Sequence, residues 1–143
     1  MRVSAKADYG LRAVLELSVA YGRGTMQSTD IAANQNIPES YLVQLLNQLR
    51  KSGIIRSVRG PRGGHELIRR PEDLTVGDVL SVLDGPIDLL GRGEDRRSSG
   101  SDELFREVWS DVESAINHVV ASVTFAELIT RHKNRQSNIA FRI

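Results

Sequence analysis

Apolar residues recur every three or four positions along most of this chain, as they do on one face of an α-helix. The longest stretches of this kind run over residues 4–21, 38–51 and 102–123. Shorter ones begin at Ser28 and Thr75, where a hydroxyl residue precedes an acidic residue in the first helical turn. The pattern therefore predicts a mainly α-helical protein.

The segment from Ser28 to Lys51 has the length and punctuation of two helices joined by a tight turn. Ser28 and Thr29 are placed to cap the first helix, and residues 34–38 supply the break. The second helix has an apolar face, with Leu42, Leu45, Leu46 and Leu49, and a polar face, with Ser40, Gln44, Asn47, Gln48 and Lys51. Because Gln and Asn carboxamides can pair with the adenine edge in the major groove, we expect this helix to read DNA. A helical hairpin used only for packing is the alternative.

A basic, glycine-rich β-hairpin is predicted directly after the second helix. Two short runs, Ile54 to Arg59 and His65 to Arg69, flank a tip that contains three glycines. A tip with few side chains lets backbone approach a phosphate, and Arg59 and Arg62 supply charge beside it. Placed after a helix-turn-helix, residues 54–69 therefore predict the wing of a winged helix-turn-helix domain, which we assign to residues 1–85.

The second half of the chain predicts a separate assembly element. Residues 86–101 lose all periodicity and are expected to form a flexible loop. The helix predicted from Asp102 carries a long apolar stripe formed by Leu104, Phe105, Val108, Trp109, Val112, Ile116, Val119, Val120 and Val123. Such a stripe lies across its own domain or packs on a second copy. Residues 124–127 fit a capping box that opens a short last helix, and alternation in the tail to Ile143 allows a short strand.

Charge is distributed unevenly along the chain. Residues 1–70 hold eleven Lys and Arg against five Asp and Glu, a balance of +6, whereas residues 71–143 hold eight against thirteen, a balance of −5. A basic first half suits a module that binds a polyanion, although solubility explains the asymmetry equally well. Lys6, in the basic first helix, is either a phosphate contact or part of a solvated rim. Without a long apolar run or a secretion signal, we expect a cytoplasmic protein with no membrane partner.

Several spaced motifs resemble the bacterial Rrf2 family of transcription regulators. They include Tyr9-Gly10-Leu11-Arg12, then Tyr41-Leu42 followed by Gln44-Leu45-Leu46, then Arg59-Gly60-Pro61-Arg62-Gly63-Gly64, and the resemblance continues through Leu74 to Pro86 and the terminal helices. Members of this family include iron–sulfur, nitric-oxide and cysteine-metabolism repressors. The resemblance implies a homodimeric winged helix-turn-helix protein that binds an imperfect palindrome in double-stranded DNA.

The absence of cysteine bears on what this family member can sense. Relatives with iron–sulfur clusters supply thiolates from the loop before the long helix, where this chain has Ser98, Ser99 and Ser101. Arg106 stands where some relatives place a histidine ligand, and Asp8, a ligand in others, is expected to be an ordinary carboxylate. We therefore expect no cluster and no other metal or cofactor, and the three scattered histidines do not fit a zinc site.

The sequence supports a sequence-specific DNA-binding regulator rather than an enzyme, because it contains no nucleophile elbow, phosphate loop or dinucleotide fingerprint. The expected DNA contacts are Lys6, Ser28, Thr29, Ser40, Tyr41, Gln44, Asn47, Gln48, Lys51, Arg59 and Arg62. Many relatives have Glu where this chain has Val43, so its operator preference should differ there, and His65 replaces their aromatic residue after the paired glycines.

Two further expectations concern partners. The cysteine-free loop and residues 85–87 resemble the cysteine-metabolism branch of the family, which implies control by an enzyme of cysteine synthesis or by a small molecule of that metabolism. The alternative to DNA binding is a winged fold used only as a protein-docking surface. That alternative would be favoured if the stripe formed by Ser40, Gln44, Asn47 and Lys51 on the second helix were apolar, and this stripe is polar.

Overall fold

The computed structural model describes residues 2–91 and 100–141, which form six α-helices, a two-stranded hairpin and one 3-10 turn. The helices are α1 (Ala5–Val19), α2 (Ser28–Gln35), α3 (Glu39–Lys51), α4 (Val76–Asp84), α5 (Gly100–Ser122) and α6 (Phe125–Phe141). The strands are β1 (Ile55–Val58) and β2 (Gly64–Leu67), and the 3-10 turn is Pro71–Asp73. The predicted mainly α fold with a small hairpin is confirmed. Much of the predicted loop, including Ser98 and Ser99, lies outside the described residues.

The core forms around α1, which contacts α2, α3, α4 and α6. Its buried face, including Ala13, Val14 and Leu17, meets the four leucines predicted for the apolar face of α3, all of them buried. Gly10 lies so close to Leu83 of α4 that a side chain at position 10 would collide with it. This packing holds α3 against α1 by its apolar face and leaves the opposite face outward.

Two predicted helix starts agree with the structure and one does not. The Thr75 hydroxyl accepts from Asp78 N at 3.1 Å and the Asp78 carboxylate accepts from Thr75 N at 3.0 Å, which completes the capping box. Thr124 Oγ1 accepts from Glu127 N at 3.2 Å, the hydroxyl half of the second predicted box. The hydroxyl cap predicted for α2 is wrong, because Gln27 is its N-cap, without a side-chain bond, and Ser28 is already helical.

A backbone bridge explains why α2 begins there. Met26 N donates to His65 O at 2.9 Å and His65 N donates to Met26 O at 2.7 Å, so the chain is extended against β2 immediately before the helix. Gln27 is therefore the first residue free to turn into α2. Tertiary pairing, rather than the side-chain signal at Ser28, sets the start of the helix.

The C-terminal segment differs from its prediction in length. The last helix continues to Phe141, so the short strand suggested for the tail is wrong over the described residues. Residues 125–141 contain no Gly or Pro, and α6 has supporting pairs such as Arg131 with Glu127 at 2.7 Å. Phe125 is fully buried in the core and Phe125 N donates to Leu74 O at 2.9 Å. The terminal helix therefore packs on the first domain.

Candidate nucleic-acid interface

The turn between α2 and α3 is held from behind by α1. Asn36 adopts a left-handed conformation, with φ of 53°, which ends α2 and redirects the chain. The Arg12 guanidinium donates to the Gln35 carbonyl oxygen at 2.9 Å and so satisfies a carbonyl at the end of α2. Arg12 also lies 5.0 Å from the centre of the Tyr9 ring and 3.3 Å from the Asp8 carboxylate. These contacts fix the direction in which α3 leaves the turn.

The outward face of α3 carries the polar side chains predicted to read DNA. Ser40, Gln44, Asn47 and Lys51 are exposed, and Gln48 is half-buried at the edge of the face. Within the part of the chain that the structure describes, none of these five side chains has a hydrogen-bond or ion-pair partner. Their donors and acceptors are therefore available to an external ligand.

Four further predicted residues lie outside this outward face. Tyr41 is half-buried and packs edge-on against Tyr9, with ring centres 5.7 Å apart. Lys6 is half-buried and lies one turn before Tyr9 on α1. Ser28 and Thr29 occupy the first turn of α2, close to β2 because of the bridge at Met26. The structure therefore places Tyr41 against α1, and it places Ser28 and Thr29 near β2.

The wing is a short hairpin whose glycines are required by packing. Ile55 pairs with Leu67 and Val58 with Gly64, and the turn is closed by a bond from Gly63 N to Gly60 O at 2.9 Å. A side chain on Gly63 would strike the backbone of Val58. At Gly64, where φ is 144°, a side chain would strike the carbonyl of Met26. The glycines thus let the wing fold and lie against the segment before α2.

Arginine pairing separates the wing cations into two groups. Arg56 contacts Glu66 at 2.5 Å, Arg69 lies 3.2 Å from Asp78, and Arg70 lies 2.8 Å from Asp73. These three arginines are satisfied within the protein. The guanidinium groups of Arg59 and Arg62 are exposed and have no hydrogen-bond or ion-pair partner among the described residues. The two unpaired arginines are the same two that the sequence places beside the hairpin tip.

β2 of the wing carries a histidine directly after the paired glycines of the tip. His65 is half-buried, and its Nδ1 lies 2.7 Å from the Ser57 hydroxyl oxygen. Burial lowers the pKa of His65, and the nearby positive charge of Arg50 lowers that pKa further. His65 therefore supports the hairpin without adding charge to it near neutral pH.

Arg50 is a candidate contact that the sequence reasoning missed. It is exposed on α3, three residues after Asn47 and so on a neighbouring part of the same face, and its charge reaches His65 of the wing. Val43, one turn before Asn47, is also exposed. Helical spacing counted from Val43 and Asn47 would have found Arg50. We call the outward face of α3 together with the wing the α3–wing surface.

The apolar stripe of α5 is divided between two environments. Val112, Ile116, Val120 and Val123 are partly covered by their own chain. Gly77 of α4 lies against Val120, because a side chain there would come within 3.3 Å of the Val120 backbone. The N-terminal part of the stripe, together with Val119, is exposed. The residues predicted to dimerise therefore do not form one uniform free face.

The donor groups in the described residues do not suit an iron–sulfur cluster. The chain contains no cysteine, and within residues 2–91 and 100–141 no group of three or more His, Asp or Glu side chains is arranged to hold a metal. Asp8 is engaged with Arg12, and Ser101 and Arg106 lie on α5. A cluster requires soft thiolate ligands, which these residues do not offer. None of the described helices combines the length and apolar character needed to cross a bilayer.

Comparison with known proteins gives consistent matches over nearly the whole chain. Residues 3–131 match the Rrf2 family, described as an iron-dependent transcriptional regulator. The chain is 34% identical to the HTH-type transcriptional regulator CymR of Bacillus subtilis over 143 residues, covering 100% of both proteins. Its fold matches the structure of CymR, the global cysteine regulator of B. subtilis, with a TM-score of 0.80 at 34% identity, covering 92% of this chain and 98% of the other. T. potens IscR matches with a TM-score of 0.80 at 34% identity, covering 95% and 91%.

Proposed function

The chain belongs to the Rrf2 family of transcriptional regulators, and from that membership we propose that it is a repressor that binds a palindromic operator as a homodimer. As a regulator of this family it is a DNA-binding helix-turn-helix protein and not an enzyme. The observation that carries the proposal is the α3–wing surface, with exposed polar side chains on α3 and two wing arginines whose guanidinium groups have no partner among the described residues.

In this proposal α3 enters the major groove. Gln44 and Asn47 contact adenine edges through their carboxamides, with Ser40, Tyr41, Gln48 and Lys51 around them. Ser28 and Thr29 approach a phosphate at the start of α2, where unpaired backbone N–H groups and the helix dipole favour an anion. Lys6 contacts a phosphate of the same DNA strand. Arg59 and Arg62 contact phosphates or enter the minor groove beside the wing.

The homodimer is supported by the exposed apolar part of α5. A two-fold protein presents two copies of α3 to two half-sites about one helical turn apart, which matches an inverted repeat. Leu104 and Phe105 are the most exposed apolar side chains on α5, and a second copy would remove them from water.

We propose that repression does not use an iron–sulfur cluster, because the whole chain lacks the thiolates that such a cluster requires. We propose instead that a protein or small molecule of cysteine metabolism controls the repressor. The support is the 34% identity to a protein titled the global cysteine regulator of B. subtilis. Co-purification with the host's cysteine-synthesis enzymes tests this control. If no such enzyme is retained, and if adding one leaves operator binding unchanged, that control is excluded.

Selection of bound duplexes from a random library tests the DNA-binding proposal. We expect the wild-type protein to enrich an inverted repeat, and we expect the Gln44→Ala/Asn47→Ala variant to lose the adenine preference in each half-site. The matched control is Asn134→Ala/Gln136→Ala, which removes the same side-chain chemistry from α6 and should enrich the wild-type motif. Failure of the wild type to enrich any motif, or an unchanged motif from the α3 variant, would contradict the proposal.

A further inference from the structure

The orientation of α2 depends on what holds its two ends. The helix has eight residues, of which Ile31 and Ala32 are buried. Because a helix this short is not stable by itself, contacts with the rest of the protein must fix its direction. The bridge between Met26 and His65 fixes its start. Its other end leads through Asn36 into α3, so whatever holds that end also controls the direction of α3.

A carboxylate on α1 receives the end of α2. Glu16 is half-buried on α1 and lies beside the last two residues of α2. Gln35 Nε2 donates to Glu16 Oε1 at 2.6 Å, and Asn34 Nδ2 donates to Glu16 Oε2 at 3.3 Å. One turn earlier on α1, Arg12 donates to the Gln35 carbonyl oxygen at 2.9 Å. The backbone and the side chain of Gln35 are therefore both bound by α1.

The chemistry of a carboxylate suits this position. An ionised carboxylate only accepts hydrogen bonds, and here each of its two oxygens accepts from one amide. Hydrogen bonds to an ionised group are about twice as strong as those between neutral groups. A carboxamide at position 16 would have one acceptor oxygen and would present donors on its other side, so it could not accept from both amides. Glu16 therefore defines one position for the end of α2 relative to α1.

Backbone bonds carry this position onward to α3. Ile37 N donates to Ala32 O at 3.0 Å, so the turn is joined to the last turn of α2. Leu42 N donates to Pro38 O at 3.0 Å, which joins the same turn to the start of α3. A shift of the end of α2 is therefore transmitted to α3.

We propose that Glu16 is a positioning residue for operator binding, which holds the end of α2 so that α3 meets the major groove at the productive angle. The inference rests on the proposed DNA-binding function and adds a residue that acts on DNA through α2. Electrostatics alone disfavours a carboxylate beside a surface that binds a polyanion. Its two hydrogen bonds give Glu16 a role that outweighs this repulsion.

Glu16→Gln separates positioning from electrostatics, because the two effects have opposite signs. Loss of a negative charge should leave affinity for a scrambled duplex unchanged or slightly increase it. Loss of the charge-assisted bonds in each subunit should lower affinity for the selected operator about tenfold, measured by fluorescence anisotropy. The matched control is Glu127→Gln, which removes the same charge from an exposed position on α6 and should leave both affinities near those of the wild type. Wild-type operator affinity for Glu16→Gln, or an equal loss on both duplexes, would overturn the inference.

An exchanged pair tests the same contact without a change in net charge. In Glu16→Gln/Gln35→Glu, the amide at position 16 donates to the carboxylate at position 35, so donor and acceptor are reversed. This variant should recover most of the operator affinity. Gln35→Glu alone places two carboxylates together and should lose at least as much as Glu16→Gln.

The outcomes distinguish the inference from the function on which it rests. No recovery in the exchanged variant would reject the positioning role alone. A wild-type protein that binds operator and scrambled duplexes equally would reject the proposed sequence-specific DNA binding, whatever the variants do. Urea unfolding of each variant shows whether a loss of affinity follows from a loss of folded protein, and a loss explained fully in that way also counts against the positioning role.

Discussion

Arg59→Ala removes a wing guanidinium that has no partner within the described protein, so its effect should appear in DNA binding and not in folding. Each phosphate contact changes the slope of log affinity against log salt by about 0.9, and a dimer has two wings, so the slope should become less negative by about 1.8. Between about 50 and 200 mM salt, a fourfold change, the loss of affinity should therefore be about 12-fold smaller than for the wild type.

Fluorescence anisotropy of a selected duplex over that salt series measures the slope directly. Urea unfolding of the same samples checks that stability is unchanged. Lys133→Ala is the matched control, because Lys133 is an exposed cation on α6 without an ion-pair partner in the described chain. A wild-type slope for Arg59→Ala, or an equal change for Lys133→Ala, would refute the assignment of the wing to the phosphate backbone.

Three other predictions concern the wing and the outward face of α3. Since the pKa of His65 is lowered in the folded state, its contribution to stability is present above about pH 6.5 and is lost as pH falls through the lowered value. In urea unfolding, the free energy of unfolding should therefore fall more steeply towards acid pH for the wild type than for His65→Asn. Parallel curves for the two proteins would contradict this. Gly64→Ala should cost roughly 1–3 kcal/mol more unfolding free energy than Gly22→Ala, because only the Gly64 site has a carbonyl in the way, and equal costs would argue against the packing described. Val43→Glu should move the selected half-site towards cytosine at one position, whereas an unchanged motif would mean that Val43 does not face the groove.

Features governed by local periodicity could be predicted from the sequence. The four leucines of α3 are buried and the polar stripe opposite them is outward, as helical spacing requires. The capping box at Thr75 and the hairpin over residues 54–69 also depend on neighbouring residues, and both are present.

Features set by distant contacts could not be predicted in this way. Phe125 is fully buried because its backbone pairs with Leu74, a contact across about fifty residues that leaves no local signal. Sequence alone also could not show that Arg69 is paired with Asp78 while the guanidinium groups of Arg59 and Arg62 have no partner among the described residues, since all three arginines carry the same charge. Knowing which arginines are already paired within the protein therefore reduces the number of candidate DNA contacts, and composition cannot show this.

Protection of the α3–wing surface by DNA is the most direct test that this surface binds DNA. In the cysteine-free chain, Ser40→Cys and Ser137→Cys each provide one thiol, on the exposed face of α3 and on α6 respectively, and the rate of maleimide alkylation is measured with and without a selected duplex. We expect the duplex to slow alkylation at position 40 by about tenfold or more and to leave the alkylation rate at position 137 unchanged. Equal alkylation of Ser40→Cys with and without saturating duplex would contradict it.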